Sequence, residues 1–94
     1  MSATQRMIVS GKVQAVGYRN WTIWTANALG LTGWVRNVPE GRVEIMASGD
    51  DKALDALVEA CREGPTLARV DDIEVQAVGE IHLKGFNKRL GIHA

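Results

Sequence analysis

The stretch GWVRNVPEGRVEIMAS, residues 33–48, contains two strand-like runs on either side of a turn. The runs are Gly33 to Asn37 and Arg42 to Ser48, and the second alternates apolar with charged or longer side chains, as a half-buried strand does. Between them, Val38-Pro39-Glu40-Gly41 has Pro and Gly in positions typical of a tight connection. The stretch therefore predicts a β-hairpin, in which the second run points three side chains inward: Val43, Ile45 and Ala47.

The segment after the hairpin has the clearest helical periodicity in the chain. Asp50 or Asp51 is available to cap its first turn, and Gly64-Pro65 ends it. Because the chain has one cysteine, no internal disulfide is possible, and we expect Cys61 to be a reduced core thiol. The apolar positions recur at i, i+3, i+4 and i+7: Leu54, Leu57, Val58 and Cys61.

The segment before the hairpin also predicts a helix, Asn20 to Leu29, with Gly30 just past its end. Two stripes of side chains fit its spacing equally well, and the sequence leaves open which of them faces the core. One stripe is Trp21, Trp24 and Ala28, and the other is Thr22, Ala26 and Leu29.

A further strand-like run lies beyond each helix: Arg6 to Val13 before the first, and Arg69 to Val78 after the second. Gly85 to Leu90 could add a short fifth strand. This order, βαββαβ, is the pattern of α+β ferredoxin-like domains, in which two helices pack on one face of an antiparallel sheet. We expect residues 1–94 to form a single domain of this kind. Three side chains of the last long run share one face: Ile73, Val75 and Ala77.

Charge and composition limit the partners that the chain can have. Eleven basic and eleven acidic residues cancel, so the sequence predicts no general attraction to nucleic acid. The first six residues lack the apolar region of a secretory signal, and no apolar run approaches the length of a membrane span. We therefore expect a cytoplasmic monomer without nucleic-acid or membrane partners. His82, His93 and Cys61 are scattered along the chain, so no metal site is expected.

The loop between the first strand and the first helix, GKVQAVGYR (residues 11–19), is typical of an anion site. Free N–H groups and the helix dipole at such a junction attract anions. Arg19 is unfavourable at a helix start unless an anion lies between its guanidinium and the dipole. An exposed arginine that is simply tolerated there is the alternative. The glycine spacing matches neither a nucleotide-binding P-loop nor a dinucleotide fingerprint.

The loop and the hairpin together resemble the acylphosphatase family. The resemblance rests on VSGKVQAVGYR, LGLTGWVRNVPEGRVE and GPTLARV, and it extends from about Arg6 to Val78. It implies an enzyme that hydrolyses small-molecule acyl phosphates to a carboxylate and inorganic phosphate, without a metal or cofactor. It also implies that Arg19 binds the phosphate and that Asn37 positions the attacking water. Backbone N–H groups around the phosphate would come from Gln14, Ala15, Val16, Gly17 and Tyr18.

Ala15 departs from the family, which usually has glycine at this position. If the backbone there has a positive φ, an alanine costs about 1–2 kcal/mol. If it does not, the added methyl group could crowd the phosphate and raise KM.

Two other functions fit a ferredoxin-like chain. One is a non-catalytic anion-binding domain that has kept the loop and lost turnover. The other is an RNA-binding module, since Lys84-Gly85-Phe86 imitates the start of an RNA-binding motif that residues 87–90 do not continue.

Overall fold

The computed structural model describes residues 2–91, and His93 lies outside them. Its elements are β1 (Ser2–Lys12), α1 (Tyr18–Ala28), β2 (Thr32–Val38), β3 (Arg42–Asp50), α2 (Asp51–Glu63), β4 (Arg69–Val78) and β5 (Phe86–Lys88). The predicted order of strands and helices is confirmed, and Phe86–Lys88 is the fifth strand.

Two elements begin earlier than their sequence patterns predict. β1 begins at Ser2 instead of Arg6, because residues 2–5 pair with the end of β3 although they lack an apolar pattern. α1 begins at Tyr18 instead of Asn20. The earlier start of α1 places Arg19 within the first turn of the helix.

The sheet has the strand order β4-β1-β3-β2-β5. The first four strands pair antiparallel, as predicted, whereas β5 runs parallel to β2. The sheet becomes mixed because residues 79–85 carry the chain from β4 at one edge to the other edge before β5 pairs. This parallel pairing places Lys88, the last residue of β5, beside Val35 in the middle of β2.

The core lies between the sheet and the two helices. α1 packs against β2 and β5, and α2 packs against β1, β3 and β4. The predicted inward residues of β3 are fully buried, and so is Cys61, whose assignment as a core thiol is confirmed. Buried side chains of the core include Met7, Val9, Val35, Val43, Ile45, Leu54 and Leu57.

The structure decides between the two stripes of α1. Thr22 and Ala26 are buried, whereas the Trp24 side chain is 74% exposed. The Thr22 hydroxyl donates a hydrogen bond of 2.8 Å to the Tyr18 carbonyl, so its burial leaves no polar group unpaired. The stripe that includes Thr22 and Ala26 therefore faces the core.

The ends of α2 and the shared face of three β4 side chains follow the prediction. Asp50 caps α2, since its carboxylate accepts a hydrogen bond of 3.1 Å from the Lys52 N–H. In β4, Ile73 is buried, but Val75 is 43% exposed and Ala77 is also exposed. The register places all three side chains on one face, as predicted, but only Ile73 is fully covered, because an edge strand has a neighbour on one side only.

No helix in residues 2–91 has both the length and the apolar character needed to cross a membrane.

Candidate active site

The loop between β1 and α1 has a left-handed backbone at two residues. Ala15 has φ 60°, and Gly17, the residue that caps α1, has φ 79° and ψ 13°. Gly17 has no side chain to cap the helix, and the first turn of α1 contains no acidic residue. The helix therefore begins without an internal group that offsets the positive end of its dipole.

The backbone N–H groups of residues 14–20 donate no hydrogen bond to another residue in the described part of the chain. The first backbone bond of α1 runs from the Trp21 N–H to the Gly17 carbonyl at 3.0 Å. The N–H groups that precede Trp21, in the loop and in the first turn of the helix, have no backbone acceptor among the described residues. Open N–H groups at the start of a helix are suited to binding an anion.

A cavity of about 180 Å³, which we call the loop cavity, opens over this segment. Four of the predicted phosphate-binding residues line it: Ala15, Gly17, Tyr18 and Arg19. The other lining residues are Val13, Asn20 and Lys88. Gln14 and Val16 do not line it, and the half-buried Val16 side chain packs against the core instead.

Arg19 is half-buried beside the open helix end. Its guanidinium forms no ion pair or hydrogen bond with any other residue between 2 and 91. No acidic side chain is among the residues that line the loop cavity. A planar cation in this position is suited to bidentate binding of phosphate oxygens.

The Gln14 side chain joins the loop to the β2–β3 hairpin. Its Nε2 donates hydrogen bonds to the carbonyls of Val38 at 3.0 Å and Arg42 at 2.8 Å. Both amide hydrogens are thereby used, so the side chain anchors the loop and has no donor left for a phosphate. Sequence reasoning assigned only the backbone of Gln14 and missed this contact.

Asn37 lies on the helix-covered face of the sheet, at the hairpin end of β2. It pairs with Val43, whose side chain is fully buried in the core. Since Val38 follows Asn37, the Gln14 contact holds the loop next to the strand end that carries Asn37. Asn37 itself does not line the loop cavity.

The side-chain oxygen of Asn37 is buried and accepts no hydrogen bond from any described residue. A buried acceptor left unpaired costs about 1–3 kcal/mol. Gly91 packs closely against the same residue, because a Cβ at Gly91 would lie 3.4 Å from the Asn37 Cβ. The oxygen is therefore an acceptor in a confined space that lacks a protein donor among residues 2–91.

Tyr18 contributes only its backbone to the site. Its buried hydroxyl donates a hydrogen bond of 2.7 Å to the Cys61 carbonyl, and burial raises its pKa far above the ordinary value. Burial likewise raises the pKa of the Cys61 thiol to about 11, although the neighbouring Tyr18 side chain acts in the opposite direction. Both groups are neutral at physiological pH, and they fasten α1 to α2.

Sequence reasoning also missed Lys88. The run Asn87-Lys88-Arg89 weakened the pattern of the last strand, and nothing local reveals that the strand pairs parallel to β2. That pairing is what brings Lys88 to the loop cavity.

No three His, Cys, Asp or Glu side chains come together as potential metal ligands within residues 2–91. His82 lines a different and larger cavity, of about 630 Å³, which also includes Ser2 to Gln5 at the start of β1. This cavity lies at the opposite end of β1 from the loop.

Comparison with known proteins agrees with the resemblance in the sequence. The model of the acylphosphatase family matches residues 5–88. The acylphosphatase of Rhodospirillum rubrum is 49% identical over 81 residues, which cover 86% of this chain and 89% of the relative. That of Marinobacter nauticus is 57% identical over 70 residues, which cover 74% and 76% respectively.

A solved structure gives the same result. The crystal structure of an acylphosphatase from Bacillus subtilis matches with a TM-score of 0.89 and 38% identity, over 95% of this chain and 99% of that one. This chain belongs to the acylphosphatase family.

Proposed function

We propose that the chain hydrolyses acyl phosphates at the loop cavity, with Arg19 and the loop N–H groups binding the phosphate and Asn37 orienting the attacking water. One observation carries the proposal. The unpaired guanidinium of Arg19 lies at one cavity, at the start of a helix, with residues whose N–H groups are open: Ala15, Gly17, Tyr18 and Asn20.

The reaction makes modest demands on the protein. The leaving group is a carboxylate of low basicity, so it departs without a strong general acid. The water oxygen forms a bond to phosphorus while the bond from phosphorus to the acyl oxygen breaks, and both hydrogens of the water remain with inorganic phosphate. Catalysis then depends on positioning and on stabilising charge at the phosphoryl oxygens.

Each of these tasks has a candidate group. Arg19 offers two parallel donors to the phosphoryl oxygens, and the N–H groups of Ala15, Val16, Gly17 and Tyr18 offer fixed dipoles that need no reorganisation. The unpartnered oxygen of Asn37 accepts a hydrogen bond from the attacking water. This division of roles requires neither a metal nor a cofactor.

The proposal also covers the substrate, the cellular location, the oligomeric state and the partners of the protein. The substrate is a small-molecule acyl phosphate, and the active form is a cytoplasmic monomer in which residues 1–94 form one domain without nucleic-acid partners. The balanced charge of the chain supports the last point. The open sheet face supports it as well, because Trp34 is only 8% exposed and lies between Arg36 and Arg89, whose guanidinium carbons are 4.8 and 4.6 Å from its ring centroid. A base needs an exposed ring for stacking.

Benzoyl phosphate hydrolysis by the purified chain in the presence of EDTA tests the proposal. Wild type should turn over, and Arg19→Ala should lose both rate and phosphate binding. Arg19→Lys should not restore them, because a point charge cannot form the fork. Arg62→Lys, at an exposed residue of α2, is the matched control and should behave as wild type.

The Asn37→Ala variant tests whether Asn37 positions the attacking water or contributes to binding of the phosphate. We expect kcat to fall on the order of a hundredfold, while inorganic phosphate inhibits with near-normal affinity, since the contact acts mainly in the transition state. A lower melting temperature with normal kcat would mean that Asn37 serves only the turn. A chain that binds phosphate without any turnover would instead be the non-catalytic anion-binding domain.

A further inference from the structure

We propose that Lys88 is a second cationic contact for the phosphate, which acts together with Arg19. This inference rests on the proposed function, because the loop cavity is where that function places the phosphate. It adds to the site a residue from a different element, the edge strand β5.

The strand register places Lys88 on the correct face of the sheet. Lys88 pairs with Val35, which is fully buried under the helices. Register partners in neighbouring strands share a face, so Lys88 lies on the helix-covered face. On β2, Asn37 lies on that same face, two residues beyond Val35.

The residues on either side of Lys88 fix the position of its backbone, and their own side chains already have partners. The Arg89 N–H donates to the Val35 carbonyl at 2.9 Å, and the Arg89 guanidinium lies over the Trp34 ring on the open face. Asn87 donates from its side-chain nitrogen to the Lys84 carbonyl at 3.1 Å. Of the three polar side chains in this run, only that of Lys88 lines the loop cavity.

The electrostatics of the loop cavity favour this assignment. Lys88 and Arg19 are its charged lining residues, and neither side chain forms an ion pair or hydrogen bond within residues 2–91. Two unpaired cations beside an open helix end repel each other and the dipole until an anion lies between them. A phosphate dianion carries the two negative charges that match them.

The expected effect is moderate, because Lys88 is exposed to solvent. A single exposed charge on a flexible stem is screened by water and salt. Its attraction also acts on the phosphate before and during the reaction, so it should change binding more than turnover. We expect removal of the charge to raise both KM and the inhibition constant of inorganic phosphate about two- to fivefold, with kcat changed less than twofold.

The test compares Lys88→Met, Lys88→Arg and a control, Lys52→Met. Methionine keeps most of the stem and removes the charge, whereas arginine keeps the charge. Lys52 is exposed in the first turn of α2, next to Asp50, which pairs with Ser2 at the start of β1. The control therefore removes the same charge at the opposite end of the sheet from the loop cavity.

For each variant, KM, kcat and inhibition by phosphate are measured at low and high ionic strength, together with the thermal midpoint. Lys88→Met should weaken phosphate binding at low ionic strength and lose part of that difference at high ionic strength, while Lys88→Arg stays near wild type. If Lys88→Met matches Lys52→Met in KM and phosphate inhibition, the inference is wrong. An effect that appears only with an acyl group bearing its own carboxylate, and not with inorganic phosphate, would also overturn it.

The inference and the proposed function fail in different ways. Absence of turnover in wild type would reject the enzyme, while phosphate binding, measured by calorimetry on the same variants, would still test Lys88. Normal turnover in wild type with an inert Lys88→Met would leave the function standing and remove Lys88 from the site.

Discussion

The sequence left two possibilities for the backbone of Ala15, and the structure has the one with a positive φ. The backbone there has φ 60°, a left-handed conformation that costs an L-residue about 1–2 kcal/mol. The residue also lines the loop cavity, so its backbone strain lies at the site itself. The alanine is retained at a cost to stability, and glycine would remove that cost.

We therefore expect Ala15→Gly to raise the free energy of unfolding by roughly 0.5–1 kcal/mol, since the relieved strain exceeds the extra chain entropy that glycine loses on folding. Denaturant unfolding measures the gain, and KM for benzoyl phosphate reports whether the methyl group also crowds the phosphate. Glu40→Gly is the matched control, because Glu40 has φ 69° in the hairpin turn and is exposed. It should raise stability without changing KM, and a loss of stability in Ala15→Gly would contradict the argument.

Among the elements, the connection between the β1–α1 loop and the β2–β3 hairpin depends on the side chain of Gln14. The two hydrogen bonds from Gln14 to the carbonyls of Val38 and Arg42 span 24 and 28 residues of sequence. They fix the loop relative to the strand end that carries Asn37. Under the proposed function, the relative positions of phosphate and water thus depend on a side chain that contacts neither.

Gln14→Met keeps the length of this side chain and removes both donors. We expect a loss of about 1–3 kcal/mol of stability, because two carbonyls lose their partner at about 0.5–1.5 kcal/mol each, and a fall in kcat as the loop and Asn37 lose their fixed separation. Gln76→Met, on the exposed edge strand β4, is the control for the same chemical change. Unaltered kcat with reduced stability would limit Gln14 to a structural role.

Local patterns predicted some elements well and others poorly, for physical reasons. α2 combines an apolar stripe with a capping aspartate, so the helix start and the buried face that its sequence predicts are the ones observed. α1 could not be oriented because its buried face contains Thr22, whose hydroxyl is satisfied within the helix, while Trp24 is exposed. The phase is set by Tyr18, whose hydroxyl bonds to Cys61 43 residues away in sequence.

The candidate site likewise has one part that the local sequence predicts and another part that it does not predict. The loop and Arg19 are contiguous in sequence, so their meeting at one cavity follows from a single strand-to-helix junction. The side-chain role of Gln14 and the position of Lys88 depend on contacts with the distant hairpin and on a parallel strand pairing. Neither is encoded in a local pattern.

For the whole molecule, a cluster of charged side chains around Glu44 lies on the face of the sheet opposite the candidate site. On the open face, Glu44 is only 5% exposed and accepts hydrogen bonds from Arg6 at 2.5 Å and Arg36 at 2.6 Å. These contacts join β1, β2 and β3 through one carboxylate. Burial acts to raise the pKa of Glu44, but the hydrogen bonds and charges of the two arginines outweigh it and hold the pKa below its ordinary value of 4.5.

A pKa that is lower in the folded state means that the ionised carboxylate stabilises the fold. That contribution is fully present above pH 4.5, the ordinary value, and is lost as the pH falls through the lower pKa of the folded protein. Glu44→Gln should therefore reduce the free energy of unfolding at neutral pH by about 1–3 kcal/mol. The gap between variant and wild type should close in acid, where wild type loses the same charge.

Urea unfolding at a series of pH values measures this gap, and benzoyl phosphate turnover at neutral pH provides the second readout. Because the cluster lies on the face opposite the loop cavity, kcat of the folded variant should stay near wild type. Glu59→Gln, in an exposed pair with Arg62 at 3.4 Å, is the control and should change stability by less than about 0.5 kcal/mol. A gap that persists unchanged into acid would mean that Glu44 stabilises the sheet through its shape and packing, since protonation would then reproduce none of the loss.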